Sequence, residues 1–129
     1  MMNSRLAVQR YQNVGTHSAV EEASPHRLIQ MLMGGMLDRV AHAKGCIEQR
    51  DIAGQGKNIS VAISIVGGLR ASLDKEMGGE IAANLDNLYD YMERRLLEAN
   101  IQKSVPILDE VAGLMREIKE AWDAIGDQV

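Results

Sequence analysis

The chain has 129 residues, 46% of them hydrophobic, and a formal net charge of −4. That length supports one domain with a real core, and the acidic balance argues against a protein whose main task is gripping nucleic acid. A single cysteine, Cys46, leaves no intrachain disulfide and no cysteine-based metal cluster; its apolar register reads as a buried, inert thiol.

Phe is absent, Trp occurs once and Tyr three times, against eight Met. Strands favour β-branched and aromatic residues, whereas Leu, Met, Ala, Glu and Arg favour helix, so the composition predicts an all-α fold. Residues 1–23 are polar, with scattered apolar positions at Leu6, Val8, Tyr11, Val14 and Val20. They are expected to form a loosely attached N-terminal arm, and they lack the continuous apolar segment of a signal peptide. Residues 24–129 are expected to form the helical domain. Charge is uneven along it: residues 25–50 carry four basic and two acidic groups, and residues 101–129 three basic and six acidic.

Ser24 and Pro25 open the first helix, Ser24 as N-cap and Pro25 at a position whose missing N–H costs nothing. Leu28, Leu32, Met36, Val40, Ala43 and Ile47 recur at helical spacing along it. Gln49 to Asp51 form a minimal break, with Asp51 as the next N-cap. The second helix has a stripe of Ile59, Ile63, Val66, Leu69 and Leu73, but Val61, Ala62 and Ile65 lie off it. A helix apolar on several sides is either buried all round or offers a second face to a partner. Its apolar run, Ile59 to Leu69, is too short to span a bilayer.

Gly78 and Gly79 are expected to end that segment, turn the chain and open a third helix, Gly78 to Asn100. Ile81, Leu85, Leu88, Met92, Leu96 and Ala99 give its core stripe. A turn over Asn100 to Lys103 follows. Ser104 then caps a fourth helix whose seam is Leu108, Val111, Met115, Ile118, Trp122 and Ile125. Helices of roughly 20–26 residues, each about 30–39 Å long, joined by short turns must alternate in direction. The expected architecture is an antiparallel up-down four-helix bundle.

No coherent catalytic set emerges. None of His17, His26 and His42 follows a Glu by three positions, so the di-iron pattern of helical bundles is missing, and no convergent zinc set exists. His42-Ala43-Lys44-Gly45 looks like the phosphoacceptor signature of histidine phosphotransfer domains. Here, however, the Lys follows the His by two residues, about 200° around the helix. Ser60, Ser64 and Ser72 sit in no nucleophile elbow, and Gly67-Gly68 cradle no phosphate pattern. No enzyme activity and no cofactor are expected; a phosphotransfer-like signalling bundle using His42 is the alternative. What remains is surface. Ile59, Val61, Ile65, Leu69 and Leu73, with Asn84, Leu85 and Tyr89, are the candidate walls of a groove for an amphipathic partner helix; Val8 and Tyr11 of the arm could lie over it.

Several segments carry a resemblance: ASPHRLIQML (Ala23 to Leu32), IVGGLRASLD (Ile65 to Asp74), GGEIAANLDNLYDYMERRLLEAN (Gly78 to Asn100) and EVAGLMREIKEAWDAI (Glu110 to Ile125). Together they resemble the flagellin export chaperones of bacterial flagella, the FliS type, over nearly the whole chain. The resemblance implies a cytoplasmic four-helix bundle that binds the disordered C-terminal segment of flagellin and prevents premature polymerisation. It also implies delivery of that cargo to a membrane protein of the flagellar type III export gate. Tyr11 and Val8 match the family's arm positions, and the arm is implied to cover part of the groove. Met33 and Gly34 stand where the family often has an aromatic and an acidic residue.

Overall fold

A computed structural model describes residues 23–126, so Val8 and Tyr11 lie outside the described residues, as does most of the predicted arm. Four helices account for almost all of the described chain: α1 (Pro25–Glu48), α2 (Ile52–Ala71), α3 (Lys75–Gln102) and α4 (Val105–Ala124). Each packs on its neighbours in the chain, and α4 packs back on α1 to close the ring. The all-α bundle expected from the composition is the observed architecture.

Every helix starts on a capped first turn. Ser24 Oγ accepts from the N–H of Arg27, Asp51 from Gly54, Asp74 from Met77 and Ser104 from Ile107. Three of these caps were legible in the sequence; Asp74 was not. The chain turns at Ser72 to Asp74, ahead of the glycine pair expected to turn it. α3 then runs through Gly78 and is kinked at Gly79, where φ is 53° and ψ −127°. Only a residue without Cβ adopts that backbone at low cost, so the pair bends a helix instead of ending one.

The core is aliphatic and rich in methionine: Met33, Met36, Val40, Ile59, Val66, Leu69, Met92, Leu96, Leu108, Val111 and Met115 are all essentially inaccessible. Met33, standing where an aromatic is usual in the resembling family, is part of that interior. Flexible thioethers fill irregular gaps that aromatic rings would otherwise occupy. The buried faces are broader than single stripes because each helix has two neighbours. Thus Ala62, Ile65, Tyr89, Ile107 and Ala112 are buried, while Leu28, Ile47, Ile63, Leu88, Ile118 and Trp122 are only half-buried. Cys46 is likewise half-buried, a correction to its expected place in the interior.

One end of the ring is closed by a reciprocal clamp. The His26 ring stacks on Trp122 with centroids 4.6 Å apart, and His26 Nε2 lies 2.8 Å from the Trp122 carbonyl. Trp122 Nε1 donates back to the His26 carbonyl at 3.0 Å. The first turn of α1 and the last turn of α4 are thereby tied.

Two backbone positions give opposite expectations. Gly79→Ala will lower stability by more than about 1 kcal/mol, because Ala cannot hold that conformation without strain. Lys103 caps α3 with φ 51°, and Lys103→Gly relieves that strain, raising stability by about 1 kcal/mol. Urea midpoints at constant m-value check both.

Candidate partner-binding surface

α3 has 28 residues while α2 and α4 have 20 each, and this mismatch shapes the surface. Arg70, one residue from the end of α2, reaches Asp86, Asp90 and Glu93 of α3. The α3 residues before Asp86 therefore extend past the end of α2. Lys75 through Ile81 are all exposed, and the first buried residue is Ala82. Ile81, expected in the core stripe, is 73% exposed for this reason.

Ile81, Leu85 and Leu88 follow one another at helical spacing, and the last two pack on the core. They make an apolar ramp running from the open end of α3 down to fully buried Met92. On the other side of the seam, Tyr91 donates to Glu110, so antiparallel α4 places Ile118 and Trp122 alongside the Leu88–Ile81 stretch. Exposed Met77 and Ile125 lie at the same end. A second exposed apolar group, Ile52, Leu97 and Ile101, lies at the opposite end, where Gln55 Nε2 donates to the Asn100 carbonyl at 2.9 Å. Sequence reading missed these positions. The signal that could have found Leu97 and Ile101 was their four-residue spacing off the α3 stripe.

The predicted groove residues fall into two groups. Ile59, Ile65, Leu69 and Tyr89 are buried inside the bundle, Ile65 at 5% exposure, and they have almost no surface of their own to offer. Burial alone pushes the Tyr89 hydroxyl up to about 12. Leu73, Asn84 and Leu85 belong to the end where α2 gives way to α3: Leu73 and Leu85 are half-buried and pack on the core, and Asn84 is exposed. Val61 is half-buried farther along α2.

Two polar networks hold α3 in place from its flanks. On the α2 side, Arg70 Nε donates to Asp86 at 2.6 Å and its Nη1 to Asp90 and Glu93, while Lys75 reaches the other oxygen of Asp86 at 3.2 Å. On the α4 side, Glu110 accepts from the Tyr91 hydroxyl at 2.6 Å and from Arg95 Nε at 2.8 Å. The Arg70 and Lys75 hydrogen bonds hold the Asp86 carboxyl below its ordinary range. The Tyr91 and Arg95 bonds do the same for Glu110.

His42 and Lys44 part company. Lys44 pairs with Asp109 of α4, whereas His42 lines a cleft that includes Asn58 of α2. The two side chains cannot serve one phosphoryl group. Burial and the neighbouring Asp51 carboxylate raise the Cys46 thiol, which keeps it protonated and weakly nucleophilic. Among the described residues no group of His, Cys, Asp and Glu could hold a metal ion, and no helix is long and apolar enough to cross a membrane.

Comparison with known proteins adds a decisive match: the family described as "Flagellar protein FliS" covers residues 7–129. The chain belongs to the FliS family. It is 49% identical to the flagellar secretion chaperone FliSB of Pseudomonas aeruginosa, over 96% of this chain and 98% of that one. It is 46% identical to the flagellar secretion chaperone FliS of Salmonella typhimurium, over 96% and 93% respectively. The corresponding FliS protein of Bacillus subtilis is 32% identical over 91% of this chain and 86% of its own. In this FliS-family bundle the ramp of Ile81, Leu85 and Leu88 is an apolar stripe of α3 that α2 leaves uncovered.

Acid will weaken this structure in a defined window. The folded-state values of Asp86 and Glu110 are depressed, while in the unfolded chain they return to about 3.9 and 4.3. Their stabilisation is therefore complete above the unfolded values and is lost as pH falls through the folded ones. Urea midpoints measured from pH 7 down to pH 3 should fall below about pH 5. Arg70→Gln should make that fall shallower, since Asp86 loses its largest depressing contact. Burial gives a second expectation. Ile65→Asp places a carboxylate in the core and should cost at least about 3 kcal/mol, read as lost circular-dichroism helicity or a much lower melting temperature, whereas Asn84→Asp should leave both unchanged.

Proposed function

We propose that this chain is a flagellin-specific export chaperone. It holds the disordered C-terminal segment of flagellin in the cytoplasm, prevents premature polymerisation and delivers it to the membrane protein of the flagellar type III export gate. Family membership supports the client class. The observation that carries the binding mode is the ramp of Ile81, Leu85 and Leu88, left open because α3 outruns α2.

An amphipathic helix of the client, laid beside α3, would substitute for the missing neighbour and bury that apolar stripe. Ordering a disordered segment has a large entropic cost, which a long apolar track can offset. In this reading Leu73, Asn84, Leu85 and Val61 are contact residues. Ile59, Ile65, Leu69 and Tyr89 support the groove from within the core. Val8 and Tyr11 belong to an arm that covers part of the track until the client arrives and then serves gate docking.

Titration calorimetry against flagellin tests this. Full-length flagellin should bind, and flagellin lacking its C-terminal segment should not. Ile81→Asp should weaken binding about tenfold or more with helicity unchanged, because Ile81 is exposed. Equal affinity for both flagellins would refute the client segment, and unchanged affinity of Ile81→Asp would refute the ramp.

A further inference from the structure

The methionines of this chain divide sharply by exposure. Met33, Met36, Met92 and Met115 are sealed in the core, none above 2% exposed, and Met31 is half-buried. Met77 is 86% exposed, the one exposed methionine among the described residues, outside which lie Met1 and Met2. Its backbone is nonetheless fixed. The Met77 N–H donates to Asp74 Oδ1 at 3.1 Å, and the next N–H, of Gly78, donates to the Asp74 carbonyl at 2.8 Å. The side chain therefore stands free on a formed turn at the open end of the ramp, four residues ahead of Ile81 and across the kink at Gly79.

A thioether does not ionise, so access governs its oxidation: a peroxide reaches Met77 and is kept from the core sulfurs while the chain is folded. The competing sulfur, Cys46, reacts as its thiolate. It is half-buried, its thiol donates to Asp51 Oδ2 at 3.7 Å, and burial with that carboxylate keeps it protonated. At Met77 the sulfur lone pair attacks one oxygen of hydrogen peroxide. The O–O bond breaks as the S–O bond forms, sulfur gives up two electrons, and the other oxygen leaves with both protons as water. The product replaces an apolar tip with a strong dipole. In the free chain water solvates that dipole, and the fold loses nothing because Met77 is not part of the core cluster. Beneath a client helix the same dipole must shed its water without a partner, which is costly.

We propose that the Met77 thioether is a peroxide-sensitive modification site, whose conversion to the sulfoxide weakens client binding at the ramp without unfolding the bundle. The role in binding rests on the client reading above, whereas the selective oxidation of Met77 does not.

The full chain is treated with hydrogen peroxide at neutral pH, quenched, mapped by peptide mass spectrometry and titrated with full-length flagellin. The Met77 peptide should gain one oxygen before those of Met33, Met36, Met92 and Met115, with the melting temperature unchanged and Kd raised about tenfold. Methionine sulfoxide reductases with a dithiol should restore the original Kd. Met77→Leu cannot take up the oxygen, so whatever its affinity, peroxide should not alter it; this separates Met77 from Met1, Met2 and Met31. Met77→Gln, polar and of similar length, should raise Kd without peroxide. Core methionines oxidised as fast as Met77 would overturn the site, and a lowered melting temperature would mark damage to the core instead. Unchanged affinity of chain oxidised at Met77, or equal weakening of Met77→Leu by peroxide, would overturn the role in binding. If the untreated chain does not bind flagellin, the client reading falls and that role with it, while the peptide map still decides the site.

Discussion

The structure depends on a mismatch of length. A 28-residue helix cannot be covered along its whole apolar face by neighbours of 20 residues. At 1.5 Å per residue the difference is about 12 Å. Where coverage is complete, as at Met92, Leu96 and Ala99, α3 is sealed into the core. Where it ends, the same stripe emerges into solvent as Leu85 and then Ile81. The bundle is therefore a finished core continuous with an unfinished one. In the binding mode proposed above, a client helix needs no new geometry there, only the apolar spacing that the missing neighbour would have supplied.

Holding that arrangement open requires α3 to stay in register while its end stands free. Arg70 of α2 fixes it on one flank, and Glu110 of α4 fixes it on the other through Tyr91 and Arg95. Surface ion pairs of this kind contribute little energy one by one. Their value lies in directionality, since an aliphatic and methionine-rich core specifies burial better than it specifies registry. The His26–Trp122 clamp does related work at the same end of the ring, fixing where α1 begins against where α4 stops. Specificity of alignment is carried by the polar edges, and cohesion by the core.

The family assignment and this physical picture support each other without being the same statement. Membership says that the chain is a flagellar secretion chaperone by kinship. In the proposed reading, the length mismatch supplies what such a chaperone needs, an unsatisfied apolar surface at Ile81 and Leu85. His42 and Lys44 illustrate the contrast. They look like a reactive pair in one dimension and are divided between α2 and α4 in three.

Much of the fold was legible in the chain itself. Helical spacing of apolar residues, the absence of Phe and the caps at Ser24, Asp51 and Ser104 are local properties, and local properties survive into the folded state unchanged. The candidate site was legible only in part. Ile65 and Tyr89 read as surplus apolar surface because a single-stripe view counts one neighbour per helix, while a ring gives each helix two. Ile81 read as core because periodicity cannot report where the adjacent helix stops. Gly79 read as a turn because a glycine pair ends helices more often than it bends them, and Asp74 was already capping the next one. Sequence alone determined which residues seek burial and where helices begin; only the tertiary structure decided which found it, since burial is granted by neighbours whose lengths and registers are non-local.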